Sequence, residues 1–440
     1  DTILEENQAN ASFGFSVSSA GDVNGDGYDD VIVGAPYYDK GQIDEGTAFI
    51  YHGSSLGVSS KANIILECDQ ANAQFGYSVS SAGDVNGDGY DDVVVGAPYY
   101  DNKHNDEGVA FIYYGSNNGL SNYRPYPQTP AFSLLEENQV GSFYAGSVSG
   151  AGDVNGDGYD DVIVGCVGYY SYRSTNGAAM VYHGSKGGIN KTAKVVLRTN
   201  LTGVTNFGCS VSSAGDVNGD GYDDVVVGEY GYNTYNYKGG AAHIYLGSSS
   251  GITVKMNQNY TYGFAAQVFT HSSGGLIGHS VSSAGDVNGD GYDDVIIGNY
   301  NSNFGSSQGY VHIYYGNKNI SNSSQIDINQ ANTLFGTSVS SAGDINGDGY
   351  DDIIIGANGY DKGQNNEGIA LIYTSLTSNS CTTTYSTDTI TSCGPYTWTD
   401  GKAYTTSNNT AKDTFTNAAG CDSIVSLNLT ILQLPTITGS

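Results

Sequence analysis

The chain has 440 residues, 45 of them acidic and 15 basic, for a formal net charge of −30. Such a balance excludes a nucleic-acid partner, because phosphate binding is built on basic patches. No apolar run reaches the roughly 18 residues of a spanning helix, so no direct membrane insertion is expected. The 63 glycines, 37 tyrosines and two methionines suit short strands and tight turns better than helices.

Taken in order, the chain begins with Thr2-Ile3-Leu4-Glu5-Glu6-Asn7-Gln8-Ala9-Asn10. Phe13-Gly14 then leads into Ser16-Val17-Ser18-Ser19-Ala20-Gly21, a strand of small residues. Next comes Asp22-Val23-Asn24-Gly25-Asp26-Gly27-Tyr28-Asp29-Asp30, which returns almost unchanged from Asp84, Asp153, Asp216, Asp286 and Asp344. Oxygen-bearing side chains at positions one, three, five and nine, with glycines at four and six, are what a hard cation needs to be wrapped by one short loop. We therefore expect about six Ca2+ ions.

The first loop offers Asp22, Asn24, Asp26 and Asp30, with the backbone carbonyl of Tyr28. The second offers Asp84, Asn86, Asp88, Tyr90 and Asp92, and the third Asp153, Asn155, Asp157, Tyr159 and Asp161. The fourth has Asp216, Asn218, Asp220, Tyr222 and Asp224, the fifth Asp286, Asn288, Asp290, Tyr292 and Asp294, and the sixth Asp344, Asn346, Asp348, Tyr350 and Asp352. An EF-hand is excluded, because its bidentate Glu at position twelve is replaced by Val33, Val95, Val164, Val227, Ile297 or Ile355. Each loop runs straight into an apolar run such as Val31-Ile32-Val33-Gly34, so it joins two strands.

The rest of the unit supplies a Tyr/Asp-rich loop, a strand Ala48-Phe49-Ile50-Tyr51, a Gly53-Ser54-Ser55-Leu56-Gly57 turn and a strand Asn63-Ile64-Ile65-Leu66-Glu67. Four strands per unit, repeated six times, predict an all-β, six-bladed β-propeller over residues 1–376. After the third strand of the last unit, Ala370-Leu371-Ile372-Tyr373, the fourth is missing. Thr2–Asn10 match the fourth strands of other units, so the N-terminal strand is expected to close the ring.

The units resemble FG-GAP repeats, the family that forms the integrin α-subunit propeller. Phe13-Gly14 with Gly34-Ala35-Pro36, and Phe75-Gly76 with Gly96-Ala97-Pro98, carry both halves of the signature; later units drift, to Gly228-Glu229-Tyr230 for example. The resemblance implies a ligand-binding face on the propeller, but integrin propellers have seven blades, with metal in only some. Residues 377–433 form a second, small β module that resembles repeats of large surface proteins of Bacteroidota. Cys393 and Cys421 are its candidate disulfide, and 434–440 read as a linker or tail.

Strand parity puts the metal loops and the Gly-Ser turns at one end of the blades. The other end carries Tyr37, Tyr38, Tyr99, Tyr100, Tyr169, Tyr170, Tyr230 and Tyr300, a composition typical of contact surfaces because Tyr offers rigid area with a polar tip. No catalytic constellation appears. Gly247-Ser248-Ser249-Ser250-Gly251 imitates a nucleophile motif but falls in a blade turn with no helix behind it. The expectation is a non-enzymatic, extracellular or cell-surface adhesion module that binds a protein or glycan ligand. Two alternatives stand beside it: a filament subunit polymerising with copies of itself through the C-terminal module, and a lectin using the Tyr face.

Overall fold

Each repeat folds as one antiparallel sheet, for reasons visible in its first two strands. The computed structural model describes residues 2–120, 132–170, 176–192, 194–199, 205–234, 237–252, 254–257, 260–263, 265–270, 275–300, 308–317, 320, 322–328, 330–361, 366–374, 384–416 and 422–432. Among these residues the protein is all-β. Contacts divide it into two units, Asp1–Ser375 and Leu376–Ser440.

In the first blade Ser16–Gly21, Asp30–Ala35, Thr47–Tyr51 and Ile64–Leu66 lie side by side in chain order. The first strand is made of small residues because the first strands of successive blades pack against one another, Ser16–Gly21 on Ser78–Gly83 and so on to Phe335–Gly343. The second strand is apolar on both faces because each face meets a sheet: all six residues of Asp92–Ala97 are buried, as are those of Asp161–Cys166, Asp224–Glu229 and Asp294–Asn299. Each fully buried Val or Ile there contributes about 1.5–3 kcal/mol.

The two halves of the repeat signature meet across blades. The Gly76 N–H donates to Gly96 O within its own blade, while the Gly76 carbonyl abuts Gly34 of the preceding blade, where a β-carbon would collide with it. Gly96 meets Ala145 in the same way, and Gly165, Gly228 and Gly298 meet Gly208, Gly278 and Gly336. Glycine is required there by close approach of two main chains.

Two blades depart from the plain pattern. The third, Tyr144–Gly152, Asp161–Cys166, Ala178–Tyr182 and Lys194–Leu197, is widened by the hairpin Val254–Asn257 and Tyr260–Gly263, whose second strand bridges in parallel to Leu197. The sixth, among the described residues, has three strands, Phe335–Gly343, Asp352–Ala357 and Ile369–Tyr373.

The expected closure of the ring by the N-terminal strand is therefore corrected. Thr2–Gln8 form no strand and do not complete the sixth sheet. They are held on the first blade instead: Leu4 packs on the cluster of Val33, Ala35, Phe49 and Tyr51, and Gln8 exchanges two hydrogen bonds with the Asp39 main chain, at 2.8 and 2.6 Å. The physical reason is visible one blade on, where Gln70 grips the Asp101 main chain in the same way. The Gln-Ala-Asn segment anchors to the blade that follows it, and that anchor forms whether or not the strand before it finds a partner.

In the second unit, Thr384–Ser392 pairs in parallel with Asp422–Ile431, which pairs antiparallel with Lys412–Thr416. Trp398, Leu427 and Leu429 form its buried core, and the Trp398 indole N–H donates to Asp388 at 2.9 Å. Cys393 is exposed, while its candidate partner Cys421 and the tail 434–440 lie outside the described residues.

Candidate functional site

The six loops are built alike and all lie between a first and a second strand. In the first, Asp22 Oδ1 accepts the N–H groups of Gly25 and Asp26 at 2.7 and 3.0 Å, and Oδ2 accepts that of Gly27 at 2.8 Å. Asn24 Oδ1 takes the Asp26 N–H at 2.8 Å, and Asp26 Oδ1 that of Tyr28 at 3.1 Å. The bonds to the first- and fifth-position aspartates recur around Asp84, Asp153, Asp216, Asp286 and Asp344, and the asparagine bond recurs at Asn155 and Asn346. Gly25 sits at φ +71° and Gly27 at +89°, which side-chain-bearing residues resist, so the loop winds around the first aspartate because those two positions are glycine.

The ninth-position aspartates are the buried members. Asp30, Asp92, Asp161, Asp224, Asp294 and Asp352 are at most 1% exposed. Asp92 Oδ1 accepts the Gly115 N–H at 2.8 Å and Oδ2 the Val85 N–H at 3.1 Å, tying the loop to the turn after the third strand. Burial pushes the carboxyls of Asp92 and Asp224 up to about 8 and that of Asp294 to about 7; the same burial raises Asp30 and Asp161. Asp92 and Asp224, held this far from water with only neutral main-chain amides for partners, fit a site completed by a cation, whereas Asp161 also meets His183 Nδ1 at 3.0 Å. The predicted donor set, carboxylates and an amide oxygen from one short loop, is that of a hard ion.

Two residues of the repeat do work that sequence reasoning missed. The eighth-position aspartate reaches the preceding blade: Asp91 Oδ2 accepts the Asp22 N–H at 2.8 Å, and Asp160, Asp223, Asp293 and Asp351 do the same for Asp84, Asp153, Asp216 and Asp286. The seventh-position tyrosine, expected to lend only its carbonyl, lays its ring on the preceding loop's fourth-position glycine, Tyr90 on Gly25 and Tyr159 on Gly87. The recurrence of Tyr-Asp-Asp rather than any-residue-Asp-Asp was the available signal.

One further acidic group lies away from the loops. Glu45, Glu67 and Asp69 bring carboxylate oxygens within 4.8 Å of one another, a tighter gathering of carboxylates than any loop shows among the described residues. Glu45 Oε1 accepts the Lys40 N–H at 2.7 Å, and Lys40 Nζ lies 3.5 Å from Glu67. This cluster is already served by a lysine and by loop amides.

At the opposite end the eight predicted tyrosines divide. Tyr38, Tyr100 and Tyr169 turn into their blades, Tyr38 against Phe49 at 5.3 Å, Tyr100 against Phe111 at 5.6 Å and Tyr169 under the Arg198 guanidinium at 4.4 Å. Tyr170 is half exposed and its N–H donates to Gln139. Tyr37, Tyr99, Tyr230 and Tyr300 remain half-buried and gather with residues the sequence reading did not name. Tyr99 and Tyr37 lie close enough to Tyr77 to help raise its phenol, a shift led by burial, and Tyr77 and Tyr300 act likewise on Tyr230. Phe15 packs on Tyr77 at 4.8 Å, Tyr99 on Phe143 at 5.1 Å, and His279 stands between Tyr230 at 5.8 Å and Tyr300 at 4.5 Å. Phe15, Tyr77 and His279 each follow the Phe-Gly position of their repeat, which was the missed signal.

The Ser248 hydroxyl donates to Gly251 O at 2.6 Å, as Ser54, Ser116 and Ser185 do to Gly57, Gly119 and Gly188. It is a turn bond of the repeat.

Comparison with known proteins agrees with this architecture. The FG-GAP repeat profile matches residues 13–51, 75–113, 145–181, 207–245, 278–314 and 335–373. Integrin alpha-5 of Xenopus laevis is 29% identical over 252 residues, covering 56% of this chain and 22% of that protein. Integrin alpha-3 of Cricetulus griseus is 31% identical over 226 residues, or 51% and 20%. The chain thus spans about a fifth of the length of these relatives. Among solved structures, the NanB sialidase from Streptococcus pneumoniae aligns over 86% of this chain and 70% of its own at 11% identity and a TM-score of 0.44, too distant a likeness to carry an argument. Six matched repeats covering more than half of its length place the chain in the FG-GAP repeat family.

Proposed function

We propose that the propeller is a calcium-stabilised, extracellular protein-interaction module, non-enzymatic, which presents the aromatic cluster of Tyr37, Tyr77, Tyr99, Tyr230, His279 and Tyr300 to a protein ligand. The observation that carries this reading is the gathering of those rings from several blades at the end of the strands remote from the metal loops. Rigid rings with polar tips are the usual anchors of protein contacts, and the integrin α relatives favour a binding module over a catalyst.

Asp22, Asn24, Asp26 and Asp30, with their counterparts in the other five loops, would hold calcium, which supplies positive charge to offset the carboxylates. The chain's own contribution is to point the first aspartate inward through three loop amides and to bury the ninth against the next turn. At millimolar calcium and dissociation constants of order 0.1–1 mM, each site adds roughly 0.5–1.5 kcal/mol.

The test is an immobilised panel of extracellular proteins and glycans probed with the wild-type chain and with Tyr99→Ala/Tyr230→Ala, in calcium and in chelator. Binding to a protein that the double variant loses while keeping its melting temperature supports the reading. Selective binding to glycans would move the function to a lectin, and binding untouched by the double variant would sink the assignment of the face.

A further inference from the structure

The six metal loops carry the same nine positions, but the residue that follows the third strand's tyrosine differs from blade to blade. It is His52 in the first blade and His183 in the third, and Tyr114, Leu246, Tyr315 and Thr374 in the others. Tyr114 and Tyr315 turn their hydroxyls to Ser133 and Ser324, both at 2.9 Å, and Leu246 packs on the apolar cluster between the fourth and fifth blades.

His183 turns to its own metal loop instead. Its Nδ1 lies 3.0 Å from Asp161 Oδ2 and 3.1 Å from Asn155 Nδ2, the ninth and third positions of the loop. The ring is held in that pose from behind, where Cε1 and Nε2 lie so close to Gly251 of the fourth blade that a β-carbon there would collide with them. One nitrogen cannot serve both neighbours. If Nδ1 carries a proton it donates to Asp161 and opposes the amide hydrogens of Asn155; if it carries a lone pair it accepts from Asn155 and opposes the carboxylate. Turning the amide over brings no relief, because Asn155 Oδ1 already accepts the Asp157 N–H at 2.9 Å. The fifth loop, with Tyr315 at this position, is free of the conflict: Asn288 Nδ2 donates to Asp294 Oδ2 at 3.3 Å.

A cation removes the conflict in the third loop, since the carboxylate and the nitrogen lone pair then both face positive charge. Neighbouring donors in one coordination sphere also stand about 3 Å apart. We infer that the third loop is a mixed nitrogen–oxygen metal site, in which His183 Nδ1 joins Asp153, Asp157 and Asp161 and gives the loop a preference for a divalent transition ion of the zinc class. Calcium is satisfied by oxygen donors and gains little from an imidazole, whereas zinc and its neighbours take imidazole nitrogen beside carboxylate oxygen. One histidine thus separates this loop from those of the second, fourth and fifth blades. The inference rests on the reading of the loops as cation sites, and it uses neither the aromatic face nor the C-terminal unit.

The experiment is calorimetric titration of Zn2+ into the full chain held in millimolar calcium, for the wild type, His183→Leu and His183→Tyr. Both substitutions install a residue that another blade carries at this position, and each protein is also melted in calcium and in chelator. The expected result is zinc uptake by the wild type that falls by one ion per chain in both variants, or weakens there at least about tenfold, while calcium raises the melting temperature of all three alike. Zinc uptake equal in all three overturns the inference, as does a wild type that takes up no zinc in the presence of calcium. A wild type whose melting temperature ignores calcium overturns the loop reading and this inference with it, and the melting scans tell that failure from the other two.

Discussion

The loops at one end of the blades repeat nine residues almost unchanged from Asp22 to Asp352, whereas those at the other end differ in sequence and length from blade to blade. The repeated end is where side chains find the same structural partners copy after copy: the first aspartate its own loop amides in all six loops, the eighth the preceding blade from Asp91 onward, and the ninth the turn after the third strand in the first five. At the drifting end, Pro36 of the first blade becomes Tyr230 in the fourth and Tyr300 in the fifth. Repetition marks what every blade needs, and drift marks where one blade can differ from the next without loss of fold.

The largest expected effect breaks the repeated end outright. Chelation removes stabilisation from six loops at once, roughly 3–9 kcal/mol in all, and should lower Tm by about 4–12 °C for a chain of this size. A melting scan in millimolar calcium and again in excess chelator checks it. Superimposable scans would mean that the loops hold themselves together through the amide net alone.

Single residues come next. Asp92→Ala strips the acceptor from two buried amides, those of Gly115 and Val85, and should cost about 2–4 kcal/mol even in chelator. Asp160→Ala removes the acceptor of the Asp84 N–H between blades and should cost about 1–2 kcal/mol, while Asp29→Ala, whose carboxylate accepts no such N–H among the described residues, should cost almost nothing. Denaturant unfolding of the three variants measures the contrast. Equal losses for Asp29 and Asp160 would show that the first and sixth blades do meet within one molecule.

The pH dependence is a finer probe of the same end. Without an ion, burial raises Asp92 and Asp224 to about 8, against 3.8 for an ordinary aspartate. Between those values the ion-free fold holds protons that the unfolded chain releases, so its stability falls as pH rises. Calcium requires the deprotonated carboxylates. The rise in Tm produced by calcium should therefore be small at pH 5 and largest near pH 8, and a flat profile would remove these aspartates from the site.

Much of this was legible in the sequence because repetition multiplies weak signals. One Asp-Gly-rich turn is ambiguous, but six between alternating strands define both a loop and a blade count. Thr2–Leu4 misled because their match to Ile64–Leu66 was real while their anchor lay elsewhere: Gln8 fixes the segment to the blade that follows, and nothing in residues 1–10 says which strand lies beside them. The roles of Asp91 and Tyr90 were hidden for a different reason. Contacts between blades about 70 residues apart leave no local periodicity to read. Tyr38 and Tyr100 likewise look no different from Tyr37 and Tyr99 in sequence, and only the packing on Phe49 and Phe111 separates them.

That last separation yields the smallest effect on stability and the sharpest on function. Tyr99→Ala and Tyr230→Ala remove half-buried rings that pack on Phe143 and His279 at the drifting end. Each should shift Tm by only a degree or two, because no neighbouring blade depends on them for a main-chain hydrogen bond. Tyr100→Ala takes out a ring wedged against Phe111 in the second blade's core and should cost about 2–4 kcal/mol, in the range of large-to-small core changes. If the drifting end is where ligand is met, the two mild variants lose binding and the destabilising one keeps it, once all three are compared well below their melting temperatures. A ligand lost with Tyr100 and kept without Tyr99 and Tyr230 would mean that the contact lies on the outer flank of the blades and that the gathered rings serve only to fill the space between them.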